Sequence, residues 1–295
     1  MASHATTSNA APACQARQQR LQPAGIGSKM WIDTHCHLDA HEFGQGSLDV
    51  AASAKAAGVS MIVAMAIERG NFGAVAELAA QAPNVSYALG IHPICVPQAQ
   101  DEDLLVLRSA VEAAMTDPNF VGVGEIGLDF FIPMLCEPPM REKQERFLRE
   151  QLRIARDFEL PVMLHVRRSQ DQVLKHLRQI HPPAGIAHAF NGSFQQAQNF
   201  IDLGFHLGFG GAMTFTRALQ IRRLAAELPL EAIVLETDSP DIAPSWIHPG
   251  RNSPDQLPGI GATLAELRGI GVDEVREAAY RASLAAIPRL AALCP

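Results

Sequence analysis

Cysteine is scarce in this chain, and its arrangement excludes several readings. The five cysteines (Cys14, Cys36, Cys95, Cys136, Cys294) are odd in number and show no Cys-x-x-Cys spacing. They fit the free thiols of a reducing compartment rather than a disulfide framework or a thiolate zinc cluster. No apolar run reaches the ~18 residues that a membrane span needs, so no membrane partner is expected. Residues 1–29 contain no acid and carry Arg17, Arg20 and Lys29 in a setting of Ala, Ser, Gln, Pro and Gly. They lack the apolar core of a secretory signal, and they have too few basic residues and no amphipathic period for a transit peptide. The expectation is a disordered extension, or a start placed upstream of Met30, with one folded domain over residues 30–295. A net charge of −7 argues against a generally basic surface for coating nucleic acid. It leaves room for a local positive groove, or for a metal that supplies the positive charge.

What is present is a chain of 295 residues, 47% hydrophobic and 19% charged. A chain of this size buries about 75% of its unfolded surface and folds without disulfides or structural metal. From Met30 onward short apolar runs alternate with longer amphipathic ones. The predicted strands are Trp31–His35, Ser60–Met65, Ser86–Leu89, Phe120–Gly124, Pro161–His165, Gly185–His188, His206–Phe209 and Ala232–Glu236. Helical patterns lie between them, among them Asp103–Met115 and Met140–Phe158, and two more, Ala262–Arg268 and Asp273–Ile287, close the chain. This alternation fits a (β/α)8 TIM barrel. A doubly wound open sheet is the rival, but no Gly-x-Gly-x-x-Gly turn follows the first strand.

His35-Cys36-His37 sits at the end of the first strand. On a regular strand side chains alternate faces, so both imidazoles project to one side and Cys36 packs on the other. Alone, a His-x-His pair is a weak signal. Further donors recur at the predicted strand ends: Glu125, His165, His188 and Asp238. In a barrel those ends share one rim, where active sites of this fold lie. Taken singly, a rim histidine is often only hydrogen-bonded and a rim acid often caps the next helix. Together, four imidazoles and two carboxylates suit Zn²⁺, Mn²⁺ or Mg²⁺. Six ligands exceed one tetrahedral ion and suit two ions sharing a carboxylate, a centre that hydrolyses phosphodiesters.

Several motifs point the same way. Asp33-Thr34-His35-Cys36-His37, Gly90-Ile91-His92-Pro93, Gly124-Glu125-Ile126-Gly127-Leu128-Asp129, His165-Val166-Arg167, His188-Ala189-Phe190-Asn191-Gly192-Ser193 and Glu236-Thr237-Asp238-Ser239-Pro240 resemble the TatD family of metal-dependent deoxyribonucleases. His165 to Ser169 and Arg251 to Gln256 are similar to its YjjV-like branch. The resemblance runs from about Trp31 to the C-terminus. It implies a metal-dependent hydrolase, cytoplasmic, cleaving DNA (single-stranded ends, as a 3′–5′ exonuclease) or a small phosphoester with two divalent ions, and no obligate protein partner. It also implies roles. His35, His37, Glu125 and Asp238 would hold one ion, and Glu125, His165 and His188 the other, with Glu125 bridging. Asp238 would orient or deprotonate the attacking water, while His92 and Arg167 would face substrate phosphate. For His92, capping or packing before Pro93 is the plainer alternative.

The chain departs from the family pattern at Asn191, where many members carry Ser or Thr. The sequence also shows no aromatic-plus-basic stripe for gripping a single strand. Arg167, Arg168, Arg217, Arg222, Arg223 and Arg251 form a candidate patch, although charges on helices are more often a solvated face. A second enzymatic reading is an amidohydrolase-like enzyme acting on a small ester, amide or phosphoester. That superfamily often bridges its metals with a carboxylated Lys after the fourth strand, where this chain offers Glu125. A third reading, metals that merely stabilise the barrel, is disfavoured because a structural site is normally closed and four-coordinate.

Overall fold

The computed structural model describes Met1 and residues 30–294; the expectation for an N-terminal extension therefore falls, Met1 apart, outside the described residues. Eight strands form one parallel sheet in chain order: β1 (Trp31–Cys36), β2 (Val59–Met65), β3 (Val85–Leu89), β4 (Phe120–Asp129), β5 (Val162–Arg167), β6 (Gly185–Ala187), β7 (His206–Phe209) and β8 (Ile233–Leu235). The last strand returns to the first. Thr34 Oγ1 donates to the Leu235 carbonyl at 3.0 Å, Asp238 N to the His35 carbonyl at 2.9 Å and His37 N to the Ser239 carbonyl at 2.8 Å. Buried Asp33 strengthens this seam by accepting from the backbone N–H and the hydroxyl of Thr237 at 2.9 and 2.6 Å. The barrel is thus closed beside the segment that carries Asp238.

Helices α1 (Ser47–Ala56), α2 (Phe72–Gln81), α3 (Asp101–Ala114), α4 (Pro133–Cys136), α5 (Met140–Asp157), α6 (Gln170–Ile180), α7 (Phe194–Asp202), α8 (Leu219–Glu227), α9 (Leu257–Arg268) and α10 (Val272–Ala286) complete the described fold. Two apolar clusters follow from the strand periodicity. The larger joins strand faces to the surrounding helices. The smaller gathers inward-facing residues of seven strands, including Ile32, Val63, Met163 and Val234, with Ala282, Ile287 and Leu290. The C-terminal segment therefore plugs the barrel floor and leaves the opposite rim for function.

Two strands depart from regular alternation, and both departures aim site residues. On β1, two residue steps of β2 (Ile62 to Ala64) face three of β1 (Asp33 to Cys36). Ile32 packs in the inner cluster while Cys36, an even number of positions away, packs in the outer one. The extra residue shifts the phase and turns His35 and His37 inward. On β4, Gly124 and Glu125 lie opposite Met163 alone. β4 accordingly runs on to Asp129 instead of ending at Gly124, and Glu125 lies within the strand. β5 likewise continues past His165 to Arg167, β6 stops one residue short of His188, and β8 ends before Glu236.

Helix α5 is tied to the rim by two buried glutamines seven residues apart. Gln151 accepts from Ile91 N at 2.7 Å and donates to the Ile91 carbonyl at 3.1 Å. Gln144 accepts from Asp129 N at 3.0 Å and donates to the carbonyls of Asp129 and Leu135 at 3.2 and 2.6 Å. Each amide saturates backbone where a strand ends, so the residues beside it, His92 and Asp129, are held in place.

Candidate metal centre

Glu125 is the hub of the rim. Its carboxylate is buried, and its two oxygens face different imidazoles. Oε2 lies 3.1 Å from His35 Nε2 and 3.3 Å from His37 Nε2; Oε1 lies 3.0 Å from His165 Nδ1, 2.9 Å from His188 Nε2 and 3.2 Å from His92 Nε2. Asp238 Oδ1 joins the first set, 3.6 Å from His35 Nε2 and 3.5 Å from His37 Nε2. His35 stacks on His188 with ring centroids 3.8 Å apart. Donor atoms of His35, His188 and Asp238, of His35, His37 and Glu125, and of His92, Glu125 and His165 converge within 4.8 Å in each trio. Asp238 adopts a left-handed backbone at φ 55°, which Asp tolerates better than most residues. All six residues expected as ligands thus meet in one place. His92 joins them, and Arg167 stands apart at the edge.

Two further carboxylates orient the imidazoles. Asp129 Oδ2 faces His165 Nε2 at 3.2 Å, and its other oxygen accepts from the backbone N–H groups of Phe131 and Ile132 at 2.7 and 3.0 Å. Glu236 Oε1 accepts from Ala189 N and lies 3.7 Å from His188 Nδ1. Glu236 fits inside the barrel because residue 208 is glycine; a Cβ there would collide with its carboxylate. Both acids lie in the recognised motifs, but the sequence assigned them no role. For Glu236 the signal was its i, i+2 relation to Asp238. For Asp129 the bulge at Glu125 hid any simple periodicity. Replacing Asp129 with Asn should weaken Zn²⁺ affinity by ~10–100-fold, the usual cost of losing an outer-shell partner. Titration with a competing chelator measures this.

Charge follows from this packing. Burial opposes ionisation of Glu125, yet His92, His188 and His35, with the hydrogen bond from His165, hold its carboxyl well below the usual range. Asp238 is held low against the same burial by His37 and its neighbours. Asp129, opposed by burial, is brought to about 2 by His165 and its two backbone donors. Burial also disfavours imidazolium, but the hydrogen bonds that His37 donates to Asp238 and Glu125 lift it to about 10. Against burial, Glu125 and Asp129 keep His165 raised, and Glu125 and Glu236 raise His188 well above its ordinary value.

At neutral pH, without metal, imidazolium protons therefore occupy the position between anionic carboxylates that a cation would take. Buried donors with this charge balance fit a divalent ion. His35 Nδ1 and His188 Nδ1 lie buried without a hydrogen-bond partner, free to donate once their Nε2 atoms coordinate. Because raised pKa values keep His37 and His188 protonated at pH 7, while burial holds His35 below its ordinary value, ligation must expel protons, and affinity should climb as pH rises toward about 10. Calorimetry in buffers of different ionisation enthalpy should show net proton release on Zn²⁺ binding; none would contradict the charge assignment.

His92 is different. Burial, reinforced by His165, lowers it to about 4 despite Glu125. Its Nδ1 accepts from Ile94 N at 3.0 Å, so the neutral ring carries its proton on Nε2, facing Glu125. It is a capping residue and a site-facing donor at once.

Arg167, half exposed, lies 3.7 Å from Asp129 Oδ2 with its guanidinium 3.8 Å above the Phe131 ring; Arg168 lies 4.7 Å from the same ring. An aromatic-plus-basic patch therefore exists, although no sequence stripe announces it. Three members of the wider arginine patch are engaged by neighbouring groups. Arg222 Nη1 donates to the Met213 carbonyl at 3.0 Å, Arg223 pairs with Glu227 at 3.0 Å, and Arg251 donates to the Glu42 carbonyl at 2.6 Å. Asn191 is exposed and its carbonyl accepts from Gln170, so its side chain does not enter the ring of donors.

The sequence of this chain matches the model of the TatD-related DNase family over residues 32–287. The chain belongs to the TatD family. It is 40% identical over 252 residues to YjjV of Escherichia coli (strain K12), an uncharacterized metal-dependent hydrolase, covering 84% of this chain and 94% of that protein. It is 30% identical to the human deoxyribonuclease TATDN3, covering 92% and 98% of the two chains. The crystal structure of E. coli YjjV superimposes with a TM-score of 0.81 at 36% identity, covering 88% of this chain and 98% of that one. This TatD protein is a metal-dependent hydrolase built on the eight-stranded barrel. Among its described residues no helix is long and apolar enough to cross a membrane.

Proposed function

We propose that this TatD-family chain is a two-metal deoxyribonuclease acting as a 3′–5′ exonuclease on single-stranded DNA ends. The observation that carries the reading is the division of imidazoles between the two oxygens of Glu125, which suits a carboxylate bridging two ions. His35, His37 and Asp238 would hold one ion and His165 and His188 the other. Divalent ions held there supply Lewis acidity to a phosphoryl oxygen and bring the pKa of water toward neutrality.

The remaining chemistry belongs to side chains. Asp238, kept anionic and partly open to solvent, accepts the proton of the attacking water. The new P–O bond forms as the bond to the leaving ester oxygen breaks, and that oxygen takes up a proton from solvent. With the Glu125 carboxylate engaged by metal, His92 would offer its Nε2 proton to a phosphate oxygen, and Arg167, packed over Phe131, presents its fork to the adjoining phosphate. The pairing of Phe131 with Arg167 and Arg168 supports a nucleic-acid substrate over a small amide, because stacking and phosphate contact are what a single strand offers. The name of the human relative supports the same substrate.

The test is hydrolysis of a short 3′-labelled single-stranded DNA with Mg²⁺, Mn²⁺, Zn²⁺ or EDTA. Stepwise, metal-dependent shortening is expected. EDTA should abolish it while far-UV circular dichroism stays unchanged, because the apolar clusters carry the stability. Intact DNA alongside turnover of a small chromogenic ester would reject the nuclease reading.

A further inference from the structure

A second concavity opens beside the metal centre, between the loops that follow β7 and β8. It has two lobes of about 420 and 490 Å³, both lined by Phe215, Arg217 and His248. Its floor is apolar, with Ile221 and Ile242 among its walls. Phe215 and His248 meet edge to face with centroids 5.4 Å apart, and the Arg217 guanidinium lies 5.6 Å from the Phe215 ring. Arg217 is exposed and makes no ion pair among the described residues. Ile221 also packs against the barrel core, and none of these side chains is among the donors of the metal centre.

The walls are built rather than incidental. Ser245 N donates to Thr214 Oγ1 at 2.8 Å, and Ser245 Oγ to the Thr214 carbonyl at 3.3 Å, stitching one loop to the other. Gly211 packs so closely that a Cβ would collide with the Ile242 carbonyl. Arg222 braces the first loop from α8 through the Met213 carbonyl. Ile242 lies four residues beyond Asp238, and Asp241 N donates to the Asp238 carbonyl at 2.9 Å. The cleft and the metal centre thus share one short, hydrogen-bonded loop.

We propose that this cleft is a nucleotide subsite that takes a base and phosphate of the substrate strand beyond the two nucleotides that flank the scissile bond. The proposal rests on the nuclease reading above. An apolar floor with an aromatic edge suits a base face, and an unpaired arginine at the mouth suits the phosphate attached to it. The cleft volume falls in the range of ordinary small-ligand sites. It also lies across the rim from the Phe131 patch, since β8 stands opposite β4 in an eight-stranded ring. A strand laid between the two patches passes over Glu125.

The test compares KM for a dinucleotide and an eight-nucleotide single strand, using metal-loaded enzyme. Wild type should gain ~10-fold in KM with length, the scale of one stacked base. The double variant Phe215→Ala, Arg217→Ala should show no such gain. Arg217→Ala alone, at an exposed position, should lose about threefold of it and keeps the test sound if Phe215→Ala loosens the loop. A full length-dependent gain in the variants, or none in wild type, overturns the subsite. Wild type that turns over bis(p-nitrophenyl) phosphate but no oligonucleotide removes the nuclease reading itself, and the nucleotide subsite falls with it.

Discussion

Glu125→Ala is expected to lower kcat/KM by ~10³–10⁴-fold, the largest loss of any single substitution at the centre. The magnitude follows from several kcal/mol of Lewis-acid stabilisation at 1.36 kcal/mol per tenfold. One carboxylate facing five imidazole nitrogens within 3.3 Å serves both donor sets, so its removal should weaken both. Metal content of the purified variant should fall with activity. His92→Ala should cost only ~10–100-fold, because it removes one hydrogen bond to a charged group and leaves the six expected ligands in place. Equal losses in the two variants would mean that Glu125 serves a single ion.

Asp238→Asn should lower turnover by ~10²–10⁴-fold while sparing the fold. Asn is isosteric and keeps a hydrogen-bonding oxygen, and the backbone bonds of Asp238 to His35 and Asp241 do not depend on the carboxylate. What is lost is the base, and positioned bases contribute ~10²–10⁴-fold. Because Oδ1 belongs to the His35–His37 set, affinity should weaken there more than at His165 and His188. A variant that binds metal, melts like wild type and loses turnover to this extent excludes metals as mere props for the barrel. Full activity in Asp238→Asn would place the base elsewhere.

The order of strands was legible because apolar runs and amphipathic helices alternate regularly, and parallel strands so spaced close into a barrel. The convergence of His35, His37, Glu125, His165, His188 and Asp238 was legible for the same reason, since strand ends share a rim. Strand phase was not. The irregularities at Asp33–Cys36 and Gly124–Glu125 leave no periodic trace, yet they decide which way His35 and Glu125 point. The Phe131–Arg167 patch was hidden because its members lie far apart in sequence. They meet because Asp129 and Arg167 are register partners on β4 and β5. Gln144 and Gln151 were concealed differently. On a charged helix they read as solvated side chains, whereas their amides are buried against rim backbone.

Anomalous diffraction from crystals grown with Mn²⁺ would test the central claim most directly. The account predicts two peaks ~3.5–4 Å apart, one on each side of the Glu125 carboxylate. The first should be ligated by His35, His37 and Asp238, the second by His165 and His188. A single peak, or two peaks with Glu125 ligating only one of them, would contradict it.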